Sequence, residues 1–309
     1  MANLTFTVAS GRRVGVTSLG DPDAERLIVF CHSAPGSSVF DPDPLVTNTR
    51  NVHVVALDRP GYGASDPLPA GHWPSITRYA DDVAEYLRLV QRDEAAIGVD
   101  RPRTVGIAGW SAGGRVALAI AARHPELVDR VAIVATPAPN EQVPWIPPAL
   151  QEMSDELGKH SPDAAIEKLG DQLDGQFGAI LGARTDQAIP LDAVGATEAD
   201  ATVLDLPGAR DRLERMVRDA FAQGTRGLAA DILSYTARPW GFEVAAVNAK
   251  TLIVNGQADA IAGNAHATWY QRTIPDARVE MVPNRGHLVI VPAWDRVLAH
   301  LAPGTKLRG

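Results

Sequence analysis

Apolar positions along the chain follow two periods that alternate, one of strand type and one of helix type. Leu4–Ala9 and Arg13–Ser18 alternate in polarity about Ser10-Gly11, which predicts a hairpin, and Asp21-Pro22-Asp23 ends it. Leu27–Cys31 and Val52–Leu57 are unbroken apolar runs of strand length, as expected of strands covered on both faces in a parallel sheet. Ser75–Val90 changes to helical spacing, with Ile76, Tyr79, Val83, Tyr86, Leu87 and Val90 on one face and Ser75 as cap. Val105–Ala108 predicts another strand, and Val116, Leu118, Ala119, Ala121 and Ala122 a helix that His124-Pro125 stops. Val131–Ala135 returns to strand character. Then Pro137, Pro139, Pro144, Pro147 and Pro148 break any regular element, and helical patterns run without a strand candidate to about Tyr235. Within that stretch Ser161-Pro162-Asp163 reads as a helix start, with serine as cap and proline at the first position. Arg210–Ala222 and Leu228–Tyr235 read as further helices, and Thr236–Phe242 as the return loop. A strand at Thr251–Asn255, a helix about His266–Ile274, a strand at Arg278–Val282 and a helix near Trp294–Leu301 complete the chain. The order predicts an open, mostly parallel α/β sheet over 1–136 and 243–309, interrupted by a helical cap or lid over 137–242.

Composition narrows the classes. A length of 309 residues allows two small domains or one α/β domain with an insertion, and 45% hydrophobic and 21% charged residues suit a soluble globular protein. The formal net charge of −8 and the lack of a Lys/Arg cluster argue against nucleic acid as a partner. Nothing approaches the roughly 18 apolar residues of a membrane helix, and Met1–Arg13 lacks an apolar core. The expectation is a cytoplasmic protein acting on a small molecule, with monomer and homodimer both open. The single cysteine, Cys31, excludes an internal disulfide and lies in an apolar run, where a buried core thiol is expected. No G-x-G-x-x-G follows a strand and nothing suggests a metal site, so no cofactor is expected.

The chemistry concentrates at Gly109-Trp110-Ser111-Ala112-Gly113, followed by Gly114, between a predicted strand and a predicted helix. G-x-S-x-G also arises by chance in Gly- and Ala-rich chains; the strand–turn–helix setting makes this one a nucleophile elbow. A serine on so sharp a turn crowds its neighbours, and glycines on both sides leave room. Two loops after downstream strands supply the other groups that an activated serine needs. Asp259 follows Thr251–Asn255 and His287 follows Arg278–Val282, giving the chain order Ser, Asp, His. Backbone N–H groups for an oxyanion are expected at Ala112, where the helix starts, and at Ala34, because Pro35 beside it has none to give. His32, abutting a buried strand, reads as a loop brace rather than the base. Ser33, Trp110, Trp145, Trp240, Phe242 and Leu288 are the candidates for lining a partly apolar pocket, with Trp110 placed either to line the site or to brace the elbow from below.

Gly109–Gly114, Asp259, Gly286-His287 and Asp58-Arg59-Pro60-Gly61-Tyr62-Gly63-Ala64-Ser65 together resemble the α/β-hydrolase fold superfamily, in particular its cap-bearing serine hydrolases. The resemblance spans nearly the whole chain and is poorest over 137–242. It implies a mainly parallel eight-stranded sheet with an insertion after the sixth strand. It also implies a nucleophile at Ser111, an acid at Asp259, a base at His287 and oxyanion contributors at Ala34 and Ala112. One departure stands out: Ser33 replaces the glycine of the usual His-Gly-x-Pro-Gly loop, so either its hydroxyl helps bind substrate or the loop has shifted. Serine at position 111 disfavours the relatives with an aspartate nucleophile. The implied activity is hydrolysis of an ester, thioester, lactone or amide through an acyl-enzyme. A proline-iminopeptidase-like aminopeptidase, using Glu141 to hold an ammonium, and a carbon–carbon bond hydrolase are alternatives. A ligand-binding protein without catalysis is the alternative of another class.

Overall fold

Eight strands form one sheet at the centre of the computed structural model, which describes residues 3–96, 104–184, 186–305 and 307. They are β1 (Asn3–Thr7), β2 (Arg13–Gly20), β3 (Leu27–Cys31), β4 (His53–Leu57), β5 (Val105–Trp110), β6 (Val128–Val134), β7 (Lys250–Gly256) and β8 (Ala277–Val282), in the spatial order β1-β2-β4-β3-β5-β6-β7-β8. The β1–β2 and β2–β4 pairs are antiparallel, and every other pair is parallel. The unbroken apolar runs are explained by the two faces. In β3, Val29 and Phe30 belong to opposite hydrophobic layers; in β5, Ile107 and Ala108 do the same.

Helices α1 (Pro44–Thr49), α2 (Ile76–Ala96) and α3 (Ala112–Arg123) occupy the first half of the chain. Asp43 caps α1, accepting from the N–H groups of Leu45 and Val46; so short a helix has no period to read in the sequence. Between β6 and β7 run α4 (Pro148–Leu157), α5 (Pro162–Gln176), α6 (Gly178–Leu181), α7 (Ala201–Leu204), α8 (Ala209–Ala220) and α9 (Arg226–Thr236), with no strand among the described residues. Pro148, expected as a breaker, instead opens α4. A proline at the first helical position sacrifices no hydrogen bond, because that N–H has no acceptor within the helix. Ser161 caps α5 as expected, accepting from Ala164 N. Helices α10 (Asn264–Thr273) and α11 (Ile290–Leu301) follow; α11 begins four residues before the expected Trp294 and tolerates Pro292 in its first turn.

Apolar residues of α2, α3 and α10 form one layer against the sheet, and those of α11 form the other. The helices between β6 and β7 are not a separate unit in packing. Leu157, Leu169, Leu213, Met216 and Leu233 share a hydrophobic cluster with Trp110, Leu288 and Trp294 of the sheet side. Among the described residues no helix is long and apolar enough to cross a membrane.

Cys31 is buried at the end of β3, and burial pushes its thiol up to about 12. A thiol so held is a poor nucleophile near neutrality. Native protein treated with iodoacetamide at about pH 8 is expected to stay unmodified at Cys31 and to be fully alkylated in urea; intact mass reads both, and rapid alkylation of native protein would contradict this burial.

Candidate active site

Ser111 sits between β5 and α3 with φ 53° and ψ −121°, a strained conformation for a residue with a side chain. Its N–H donates to Val134 O and its carbonyl accepts from Gly114 N, so the turn is fixed at both ends. The surrounding glycines are demanded by close contacts, with backbone at Gly109 and Gly113 and with the Thr136 side chain at Gly114. A Cβ on Gly113 would lie 2.0 Å from Cys31 O, one on Gly109 would lie 2.4 Å from Gly113 O, and one on Gly114 would lie 1.9 Å from Thr136 Oγ1. The strain holds Ser111 at the mouth of α3, where it remains partly exposed.

His287 lies in the turn after β8, and its Nε2 is 2.9 Å from Ser111 Oγ. Its Nδ1 is 2.9 Å from Asp259 Oδ2, in the loop after β7. Burial by itself raises the Asp259 carboxyl. The hydrogen bond and charge of His287, with the N–H groups of Ala262 and Ile261 on Oδ1, more than offset this and carry it below the ordinary value. The ionised carboxylate therefore holds the proton of His287 on Nδ1 and leaves Nε2 to accept from the serine hydroxyl. Trp110 Nε1 donates to the His287 carbonyl from below. The three side chains form one continuous hydrogen-bonded chain of hydroxyl, imidazole and carboxylate, an arrangement suited to activating a serine.

The loop after β3 starts against the elbow, where a Cβ on Gly113 would lie 2.5 Å from His32 O. Neither Ala34 nor Ala112 donates its backbone N–H to an acceptor among the described residues, so both are free to receive a developing negative charge. The loop is fixed from behind by Arg59. Its Nη1 donates to His32 O (2.6 Å) and its Nη2 to Ser33 O (2.7 Å), while Nε and Nη2 both reach Asp231 Oδ2 on α9. Arg59 and Asp231 are almost fully buried. His32 is a brace: Nδ1 donates to Ser33 O and Nε2 accepts from Arg59 N. Burial, reinforced by the Arg59 charge, holds its ring well below its ordinary value and therefore neutral. Ser33 is buried and its hydroxyl donates to Pro35 O at 2.8 Å, within its own loop. Its φ is not positive, so the position requires no glycine.

A cavity of about 370 Å³ opens beside this loop, walled by Ala34, Pro35, Trp145, Leu169, Ile232 and Tyr235 among others. No lining side chain carries a charge. The cavity meets the site at Ala34 and Pro35; Ser111 and His287 lie outside its lining. Of the expected pocket residues only Trp145 lines it. Trp110 is fully buried beneath the elbow, tilted against Phe40 and His287. Trp240 and Phe242 stack on each other and pack with α2 and α3, because the return loop runs over that face of the sheet. Leu288 is buried in the layer that includes α11. Ser33 spends its hydroxyl inside its loop. Glu141 is exposed and outside the cavity lining. Among the described residues no group of three or more His, Cys, Asp or Glu side chains is placed to hold a metal ion.

Arg59, Asp231 and Arg115 are charged residues near the site to which the sequence pattern gives no role; Arg59 stands out only as part of its loop motif. Asp231 is an acid among apolar residues of α9, and Arg115 a cation among those of α3; a lone charge on an apolar helix face is the signal that would have marked both. Arg115 is buried against Tyr235 (4.1 Å to the ring centre), Trp145 and Trp240, so its charge backs the aromatic wall of the cavity. Burial lowers its guanidinium below the ordinary value.

A sequence model of the alpha/beta hydrolase fold family matches residues 26–293. The pimeloyl-acyl-carrier-protein methyl ester esterase of Chromobacterium violaceum is 29% identical over 241 residues, 76% of each chain. A putative 2-succinyl-6-hydroxy-2,4-cyclohexadiene-1-carboxylate synthase of Bacillus subtilis is 24% identical over 306 residues, 94% of each chain. Among solved structures, a thermophilic esterase from Thermogutta terrifontis superposes with a TM-score of 0.68 at 18% identity, covering 96% of each chain.

Proposed function

The chain belongs to the alpha/beta hydrolase fold family and is a hydrolase, and from that premise we propose that it cleaves carboxylic esters with a neutral, apolar acyl group, using Ser111 as nucleophile. The observation that carries this reading is the unbroken chain Ser111–His287–Asp259, with both links at 2.9 Å. Ser111 Oγ attacks the ester carbonyl as its proton passes to His287 Nε2. The carbonyl oxygen becomes an oxyanion facing the N–H groups of Ala34 and Ala112. The intermediate collapses, the alcohol leaves with the proton from His287, and the acyl group stays on Ser111. Water then gives a proton to Nε2, attacks the acyl-enzyme and releases the carboxylic acid, with the proton returned to Ser111. Asp259 balances the imidazolium charge in both halves.

The uncharged lining of the cavity supports the substrate class, because a buried ammonium or carboxylate there would lose its hydration without an ionic partner. The helices over 137–242 act as the cap that supplies this wall through Trp145, Leu169, Ile232 and Tyr235. The esterase named among the relatives supports ester chemistry. An aminopeptidase reading has no acid in the lining to recommend it.

The test combines labelling with a substrate series. A small fluorophosphonate is expected to add once, at Ser111 by peptide mapping. Neutral p-nitrophenyl esters of butyrate to octanoate are expected to exceed p-nitrophenyl hemisuccinate and prolyl esters in kcat/KM by about tenfold or more. Folded protein without an adduct, or a preference for the charged esters, would overturn the reading.

A further inference from the structure

His287 is held by more than Asp259. The loop between α6 and α7, together with the start of α7, reaches the histidine turn at three points. Gly195, with φ +79°, lies so close to the ring that a Cβ there would stand 2.7 Å from His287 Cδ2. Arg285 Nη1 donates to Thr202 Oγ1 at 2.8 Å. Between them is Asp200, whose side chain is fully buried.

The Asp200 carboxylate is aimed at the histidine turn. Oδ1 accepts from Leu288 N, the amide directly after His287, at 3.1 Å. Oδ2 accepts from Thr197 N at 3.1 Å and from the Thr197 hydroxyl at 3.4 Å, which fixes the acid in its own turn. On the other side of the histidine, a Cβ at Gly286 would fall 2.3 Å from Asp200 Oδ2. The carboxylate thus occupies the space against the backbone on both sides of His287, and Gly286 is the residue that admits it. A buried carboxylate carries a large desolvation cost, which the two backbone donors, Leu288 N and Thr197 N, chiefly offset.

We propose that Asp200 is a positioning residue for His287. It fixes the turn so that Nε2 stays in line with Ser111 Oγ while Nδ1 stays on Asp259. The helical stretch between β6 and β7 then serves the site in two ways, walling the cavity and holding the base. The part played by His287 as base rests on the function proposed above; its placement by Asp200 does not.

The test compares Asp200→Ala, Asp200→Asn and Thr197→Val in the full chain. Alanine leaves Leu288 N without its acceptor; asparagine keeps the volume and one acceptor oxygen; Thr197→Val removes a hydroxyl from the far side of the carboxylate only. Two readouts are made on protein shown by circular dichroism to be folded. The first is the rate of fluorophosphonate addition to Ser111, which requires an aligned base. It is expected to fall about a hundredfold in Asp200→Ala, to recover to within about tenfold in Asp200→Asn, and to be unchanged in Thr197→Val. The second is the low-field proton resonance of the His287–Asp259 hydrogen bond. It is expected to be lost to solvent exchange in Asp200→Ala and retained in Thr197→Val. The second readout decides the placement even where the wild-type serine fails to react, which would count against the function and not against Asp200. Should Asp200 variants that fold keep the wild-type addition rate and that proton resonance, the positioning role is wrong. Should Asp200→Ala fail to fold, a normal resonance in Asp200→Asn alongside a normal one in an Asp200→Leu variant would overturn it equally.

Discussion

Ser111→Ala is expected to lower kcat/KM on any accepted ester by about 10⁴- to 10⁶-fold while leaving the protein folded. The size follows from the role. Without Oγ no acyl-enzyme forms, and what is left is the oxyanion site and the substrate pocket acting on water. The fold survives because alanine inherits the backbone of serine, strain included, and loses only the part-buried hydrogen bond to His287, about 1 kcal/mol. The same strain gives an internal check. Glycine at 111 relieves the positive φ, so Ser111→Gly should be equally inactive yet more stable than Ser111→Ala, by about 1 kcal/mol in urea unfolding. Residual turnover above about a hundredth of wild type in a clean Ser111→Ala preparation would remove Ser111 from the mechanism.

Asp231→Ala should produce the largest loss of stability of any single change near the site, about 3–5 kcal/mol. The reason is not the strength of the ion pair but what its loss leaves behind. Arg59 is 6% exposed, and without Asp231 its charge would meet the carbonyl oxygens of His32 and Ser33 and the face of Tyr62 but, among the contacts of the described residues, no carboxylate. Burial works against that charge, and Asp231 beside it is what more than offsets the burial. The double variant Arg59→Met with Asp231→Leu removes both charges together and should regain most of the stability. Activity should nevertheless be low in the double variant, because Arg59→Met removes the two carbonyl anchors of the loop that presents Ala34. Urea unfolding and the rate of fluorophosphonate addition separate these effects. Full activity in a stable double variant would show that the loop keeps its shape without Arg59.

The two predictions differ in how far the sequence could reach them. Ser111 was legible because its setting is local: a strand-length apolar run, glycines within three residues, then a helix. Steric demand at a sharp turn acts over those few residues alone. Asp259 and His287 could be nominated because a parallel sheet gathers the loops at the ends of its strands, and the strands were visible as apolar runs. Asp231 and Asp200 could not be assigned a purpose, since their partners are 172 and 88 residues away.

The same division explains the pocket. Of the aromatic residues named as pocket candidates, Trp145 lines the cavity, whereas Trp110 lies under the elbow and Trp240 stacks on Phe242 over the opposite layer. Composition and spacing mark such side chains as buried without saying which face buries them. Ser33 is the sharpest case: its hydroxyl could as well have met substrate, and only the folded loop turns it onto Pro35 O. By itself the sequence determined the sheet with its helical interruption, the strand–turn–helix at Ser111 and the loops that carry Asp259 and His287, because periodicity and turn sterics are properties of neighbouring residues. Tertiary structure alone decided which side chains wall the cavity and which buried acids hold the site, because those contacts depend on how distant elements pack, and no local pattern encodes that.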